Sequence, residues 1–104
     1  MVTSDAVLDA LGNATRRSIV RVLAGGPLTV GAIALELPVS RPAVSQHLRV
    51  LEQAELVRFT ESGTKNLYEL DRAGFLAARA WLETFWSESL AQFAALAEAT
   101  QEGG

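Results

Sequence analysis

Up to Leu70, apolar positions recur in short helical periods that are interrupted by glycine, proline and capping residues. Between Thr3 and Gly12, Val7, Leu8 and Leu11 share one side of a helix. Thr3, Ser4 or Asp5 stands where a cap is needed, and the segment ends near Gly12. Asn13 and Thr15 restart the chain. Over TRRSIVRVLAGG the pattern turns Ile19, Val22 and Leu23 inward and stops at Gly25 and Gly26, which tolerate the left-handed backbone of a helix end. Pro27 and Leu28 make a short extended link. From Thr29 to Leu56 the pattern predicts a short capped helix, a tight turn at Pro38 and Val39, and a longer helix opening at Ser40. In that longer helix Val44, Leu48 and Leu51 stand at i, i+4 and i+7, while Pro42, Gln46, Arg49 and Gln53 project on the opposite side.

After Leu56 the period changes. LVRFTESGTKNLYEL alternates apolar and polar residues on either side of Ser62 to Lys65, with Val57 and Phe59 before and Leu67 and Leu70 after, which predicts a β-hairpin with Gly63 in the turn. From Arg72 to about Ala99 there is no proline. Phe75, Ala78, Leu82, Phe85, Phe93 and Leu96 mark one long helix, and Trp81, Trp86 and Leu90 widen its stripe beyond the ~100° that a single packed face requires. The reading is mainly α with a small β-hairpin wing, a winged helix-turn-helix. Residues 1–104 form a single domain, with a C-terminal dimerisation helix over about 72–99.

Size sharpens the picture. A chain of 104 residues buries only roughly 60 to 70% of its unfolded surface, yet 49% of its residues are hydrophobic. The surplus points to a subunit interface. Val7, Leu8 and Leu11 on the first helix and Trp81, Phe85, Trp86, Leu90 and Phe93 on the last are its candidate residues, and some of them can equally cover the domain's own core. No run approaches the ~18 apolar residues of a membrane span. No basic segment precedes the apolar residues of MVTSDAVLDALG, and there is no cysteine, so a cytoplasmic protein is expected.

The net charge is −3, which by itself argues against a phosphate-rich partner. The average conceals a bias, because residues 15–58 hold six arginines (16, 17, 21, 41, 49, 58) and three acids (36, 52, 55). A basic face on an acidic body is the consequence.

Helix, turn, helix and hairpin in this order resemble the ArsR/SmtB family of small bacterial transcriptional regulators. The residues that carry the likeness are Thr15-Arg16-Arg17, Gly26-Pro27-Leu28-Thr29-Val30 and, most specifically, Ser40-Arg41-Pro42-Ala43-Val44-Ser45-Gln46-His47-Leu48-Arg49-Val50-Leu51. The SRPAVSQHL string is similar to that of actinobacterial members that do not sense metals. The resemblance implies a homodimer that binds double-stranded DNA at an inverted-repeat operator and usually represses.

Elementary chemistry distributes roles within the match. Ser40 caps the reading helix and leaves backbone N–H groups for a phosphate. Arg41, Ser45, Gln46 and Arg49 lie on or beside the outward face, where arginine can pair with guanine and glutamine with adenine; Arg49 can instead hold phosphate. Pro42 costs little at an early helical position and can touch a thymine methyl. His47 serves packing or hydrogen bonding beside the DNA surface, with a direct base contact as the alternative. Thr64 and Lys65 in the hairpin are candidates for the neighbouring backbone or minor groove, or form a solvated turn.

Two departures from the family bear on these expectations. The family commonly has glycine where this chain has Glu55, and a left-handed non-glycine costs about 1 kcal/mol, so the reading helix is expected to end differently. Metal-sensing members use cysteine pairs in the reading motif, or His and carboxylate clusters on the last helix. This chain has LELPV at the first place and no histidine after His47, so neither a metal site nor a cofactor is expected, and Asp71, Glu83 and Glu88 are read as scattered surface acids. No effector is legible in the residues. Two further classes fit the same scaffold: a protein-interaction module, and a small-molecule-responsive regulator with an aromatic pocket. An enzyme is disfavoured, since no nucleophile–base pair or phosphate-cradling glycine loop is present.

Overall fold

The computed structural model describes residues 2–102. Four of its helices begin at a side-chain cap: Thr3 Oγ1 accepts from Ala6 N–H, Asn13 Oδ1 from Arg16 N–H, Thr29 Oγ1 from Ala32 N–H and Ser40 Oγ from Ala43 N–H. These caps satisfy N–H groups that have no partner within the helix. They open α1 (Ser4–Leu11), α2 (Ala14–Leu23), α3 (Val30–Glu36) and α4 (Arg41–Gln53). A hairpin of β1 (Val57–Ser62) and β2 (Lys65–Leu70) follows, and α5 runs over Arg72–Glu102. Asp71 Oδ1 accepts from Ala73 N–H at the start of α5.

The core is apolar throughout. Val7, Ile19, Ile33, Val44, Leu48, Leu51 and Leu56 are fully buried, with Leu23 and Val57 nearly so, and no polar or charged residue is buried among the described residues. In α2 the pattern holds for Ile19 and Leu23; Val20 rather than Val22 completes the packing against the core. The hairpin pairs antiparallel from Val57 with Leu70 to Ser62 with Lys65. Gly63 takes φ +64° at the first position of the two-residue turn, the place where a type II′ turn prefers glycine. Leu28, in the extended link, exchanges hydrogen bonds with Tyr68 (Leu28 N–H to Tyr68 O, 2.9 Å; Tyr68 N–H to Leu28 O, 2.8 Å) and so fastens the wing beside α3.

The end of α4 overturns the expectation drawn from Glu55, because Glu55 does adopt the left-handed conformation, with φ +55°. Its N–H donates to Glu52 O, and Leu56 N–H reaches back to Leu51 O, both at 2.9 Å. This is the pair of bonds of a Schellman motif, with buried Leu56 packed over buried Leu51. The Glu55 carboxylate accepts from Val2 N–H at 3.1 Å, and the Glu55 carbonyl accepts from Gly74 N–H at 2.7 Å. The left-handed cost is thus offset by two contacts that a glycine would supply only in part.

Gly74 is the counterpart on α5. A Cβ there would lie 2.6 Å from both Ala54 O and Glu55 O, so only glycine lets α5 approach the end of α4 so closely. Beyond Ala78, the apolar residues of α5 are exposed. The helix is about 46 Å long at 1.5 Å per residue and accounts for the elongated 69 × 29 × 20 Å shape.

Two substitutions test this junction. Gly74→Ala is expected to cost about 2–3 kcal/mol by overpacking against rigid backbone, measured by urea unfolding; a loss within the error of the method would show that the approach is not constrained. Glu55→Gly should be more stable than Glu55→Ala by about 1 kcal/mol, since both lose the Val2 contact and only alanine keeps the left-handed cost. Equal stability of the pair would remove the strain argument.

Candidate nucleic-acid interface

Burial of Val44, Leu48 and Leu51 fixes the rotation of α4 about its axis. The opposite sector, Arg41, Pro42, Ser45, Gln46 and Arg49, is exposed, as is the cap Ser40, and His47 is half-buried at the border. Pro42 stands in the first turn, where its missing N–H leaves no intrahelical bond unmade. Neither Arg41 nor Arg49 forms an ion pair among the described residues; the pairs there are Arg58–Glu69 and Arg79–Glu83, both at 2.9 Å.

The structure redistributes the arginines that the sequence counts together. Arg16 donates from Nε to Ala10 O (2.6 Å) and from Nη2 to Asp9 O (3.3 Å), and Arg17 donates from Nη1 to Leu11 O (2.8 Å). Both guanidinium groups therefore serve the carbonyl end of α1, where a cation is also favoured by the helix dipole. Arg58 faces Glu69 across the hairpin. Arg21, Arg41 and Arg49 with Lys65 of the wing are left exposed and without an ion pair among the described residues, a smaller basic set than the sequence count implied.

His47 is tied to this arrangement. Its Nδ1 lies 3.5 Å from Arg16 Nη1. A guanidinium has only donors, so in this contact Arg16 donates toward Nδ1. This contact joins α2 to the border of the exposed sector. Arg16 was missed as a contributor because its partners lie 6 and 31 residues away, beyond any local pattern.

Thr64 in the turn and Lys65 at the start of β2 are both exposed. They share a cleft with Arg41, an association the sequence did not indicate. The cleft lies between the wing and α3, and Thr29, Gly31 and Leu35 also line it.

The residues expected at a dimer interface separate into two groups. Val7 is corrected: it is fully buried within its own domain and is not available to a partner, because α1 packs against α5, α2 and α4. Leu8 is half-buried, and Leu11 lines an apolar groove of about 410 Å³ with Phe75, Ala78, Leu82 and Trp86. Trp81, Phe85, Trp86, Leu90 and Phe93 are exposed, from 42% for Trp81 to 71% for Phe93. Trp81 and Phe85 stack with centroids 5.7 Å apart. Leu76, Leu82 and Leu96 extend the same surface. Contiguous apolar exposure on this scale marks an interaction surface.

Among the described residues, no group of three or more His, Cys, Asp or Glu is placed to hold a metal ion, and no helix is long and apolar enough to cross a membrane. Asp71 caps α5, and Glu83 pairs with Arg79.

Comparison with known proteins agrees with this geometry. Residues 11–58, from the end of α1 through α4 into β1, match the model of a helix-turn-helix domain family. The chain is 51% identical over 92 residues to the HTH-type transcriptional regulator Rv2034 of Mycobacterium tuberculosis, covering 88% of this chain and 86% of that one. It is 34% identical over 79 residues to the transcriptional repressor SdpR of Bacillus subtilis, covering 76% and 88%. The solution structure of the homodimeric winged helix-turn-helix DNA-binding domain of Mb0332 from Mycobacterium bovis, described as a possible ArsR-family regulator, matches with a TM-score of 0.64. The identity there is 32%, over 83% of this chain and 80% of that one. With the hairpin beside the reading helix and these likenesses across most of its length, the chain belongs to the ArsR family of winged helix-turn-helix transcriptional regulators.

Proposed function

We propose that this protein is a cytoplasmic homodimeric repressor that binds an inverted-repeat operator in double-stranded DNA through α4 and the wing. The observation that carries the reading is the exposed sector of α4, which has no ion pair among the described residues and is oriented by a buried stripe on the same helix. Gln46 and Arg49 have the donors and acceptors to read adenine and guanine edges in the major groove. Ser45 adds an adaptable hydroxyl, Pro42 an apolar contact for a thymine methyl, and Ser40 an N-terminal phosphate contact. His47 stands at the border of this sector, beside Arg16. Thr64 and Lys65 lie alongside on the wing. SdpR, a transcriptional repressor by name, supports the direction of regulation.

Dimerisation follows from the unburied apolar face of α5, and the homodimeric Mb0332 domain supports it. A two-fold axis through α5 and the flank of α1 sets two copies of α4 about one helical turn of DNA apart, roughly 34–36 Å. The two half-sites are then inverted repeats. Each copy alone contributes few cations, so the pair of contacts is what gives useful affinity.

Two measurements test the reading. Promoter fragments titrated with the protein should include at least one retarded in preference to random DNA, with the affinity falling as salt rises. Arg49→Ala should weaken that complex by about 1–3 kcal/mol with an unchanged circular dichroism spectrum. Absence of any preferred fragment at physiological salt would sink the operator assignment. Phe93→Glu should convert dimer to monomer in sedimentation velocity and reduce operator affinity more than about tenfold. A dimer that survives this substitution together with Trp86→Glu would place the interface elsewhere.

A further inference from the structure

The cleft between the wing and α3, about 460 Å³, is walled by Thr29, Gly31, Leu35, Arg41, Thr64 and Lys65. Its construction turns on Gly31. A Cβ at this position would come 2.9 Å from Arg41 Nη2 and 3.1 Å from its Cζ, so the bare backbone of α3 is what allows the guanidinium to lie over that helix. Arg41, the first residue of α4, thereby reaches sideways into the cleft.

The lining is chemically specific. Arg41 and Lys65 bring two cations with no ion pair among the described residues, and no carboxylate lines the cleft. The Thr29 oxygen accepts from Ala32 N–H and leaves its O–H to donate, and the Thr64 hydroxyl adds another donor. Leu35, at 86% the most exposed large hydrophobic residue, forms an apolar rim. Cations and hydroxyl donors beside an apolar edge fit a phosphodiester flanked by deoxyribose.

We propose that this cleft seats one phosphate of the DNA backbone between the reading helix and the wing. Arg41 holds that phosphate and does not read a base, and Gly31 is a positioning residue that keeps the guanidinium in place. The inference rests on the operator-binding reading and refines it: Arg41 moves from sequence recognition to backbone anchoring, and base reading falls to Gln46, Arg49 and their neighbours on α4. Phosphate contacts set register without carrying sequence information, so the assignment makes a distinct prediction.

The experiment compares wild type, Arg41→Ala, Gly31→Ala and the double variant on an operator fragment and its single-base variants. Alanine favours helix more than glycine, so Gly31→Ala keeps the fold and displaces only the flexible end of Arg41. Arg41→Ala should weaken all fragments by about tenfold, leave their ranking unchanged, and make the log–log salt slope less negative by about one. Gly31→Ala should weaken binding about threefold in wild type and have no effect when Arg41 is already alanine. Scanning each operator phosphate with a neutral methylphosphonate should find one position per half-site that costs wild type affinity and leaves Arg41→Ala unaffected.

Relaxed preference at a single base pair in Arg41→Ala would make Arg41 a base reader and overturn the proposal. A Gly31→Ala effect that persists without Arg41, or a methylphosphonate scan with no position that depends on Arg41, would overturn it too. Inorganic phosphate titrated into the wild type is the control for a free anion. Amide shifts confined to the cleft, with operator binding unchanged in Arg41→Ala, would assign the cleft to a small anion instead. Failure of wild type to prefer any fragment defeats the operator reading and this inference together; a wild type that binds specifically while the variants depart from these outcomes defeats the cleft assignment alone.

Discussion

The inner stripe of α4 is the constraint on which the remaining architecture depends. Val44, Leu48 and Leu51 are fully buried, and α1, α2, α3 and β1 all pack against the helix that carries them. Truncating one such residue to alanine costs about 2–5 kcal/mol, a large share of the ~5–15 kcal/mol by which a domain is stable. Because the inner face supplies the buried contacts of the helix, Arg41, Pro42, Ser45, Gln46 and Arg49 on the outer face remain exposed. The same burial fixes the orientation of α4, which the proposed reading of base edges requires.

A second junction ties that helix to α5. The left-handed turn at Glu55 closes α4, its carbonyl accepts from Gly74 at the head of α5, and its carboxylate holds Val2 at the opposite end of the chain. In the proposed dimer, a shift of α5 would reach the end of α4 through these backbone contacts.

Charge is used sparingly. With a net charge of −3, the protein repels polyanions on average, and three of its nine basic residues are engaged by α1 carbonyls or by Glu69. The proposed affinity for a duplex then depends on a few well-placed groups and on a second copy of the chain. Arg16 illustrates the division, since the guanidinium that closes α1 also orients His47, linking the dimer-side helix to the edge of the reading face without contacting DNA in the proposed complex.

Much of this was legible in the order of residues. Capping side chains, helical periods and the glycine turn are local, so Thr29, Ser40, Gly63 and the stripe of Val44, Leu48 and Leu51 disclosed the elements and the outward sector of α4. The exposed aromatics of α5 disclosed a surplus face for the same reason: periodicity reports amphipathicity along one element. Contacts distant in sequence decided the rest. Val7 went to the core because α1 meets α4, Glu55 took a conformation that its residue type disfavours because Val2 and Gly74 reach it, and Arg16 and Arg17 left the basic face because α1 ended beside them. Arg41 and Lys65 came to share one cleft because the wing folds back over α3 and Gly31 offers no side chain. Sequence by itself determined the elements and their faces, since those follow from nearest neighbours along the chain; tertiary structure alone decided which polar groups were engaged by carbonyls and carboxylates and which remained available, since that depends on what packing brings within hydrogen-bond reach.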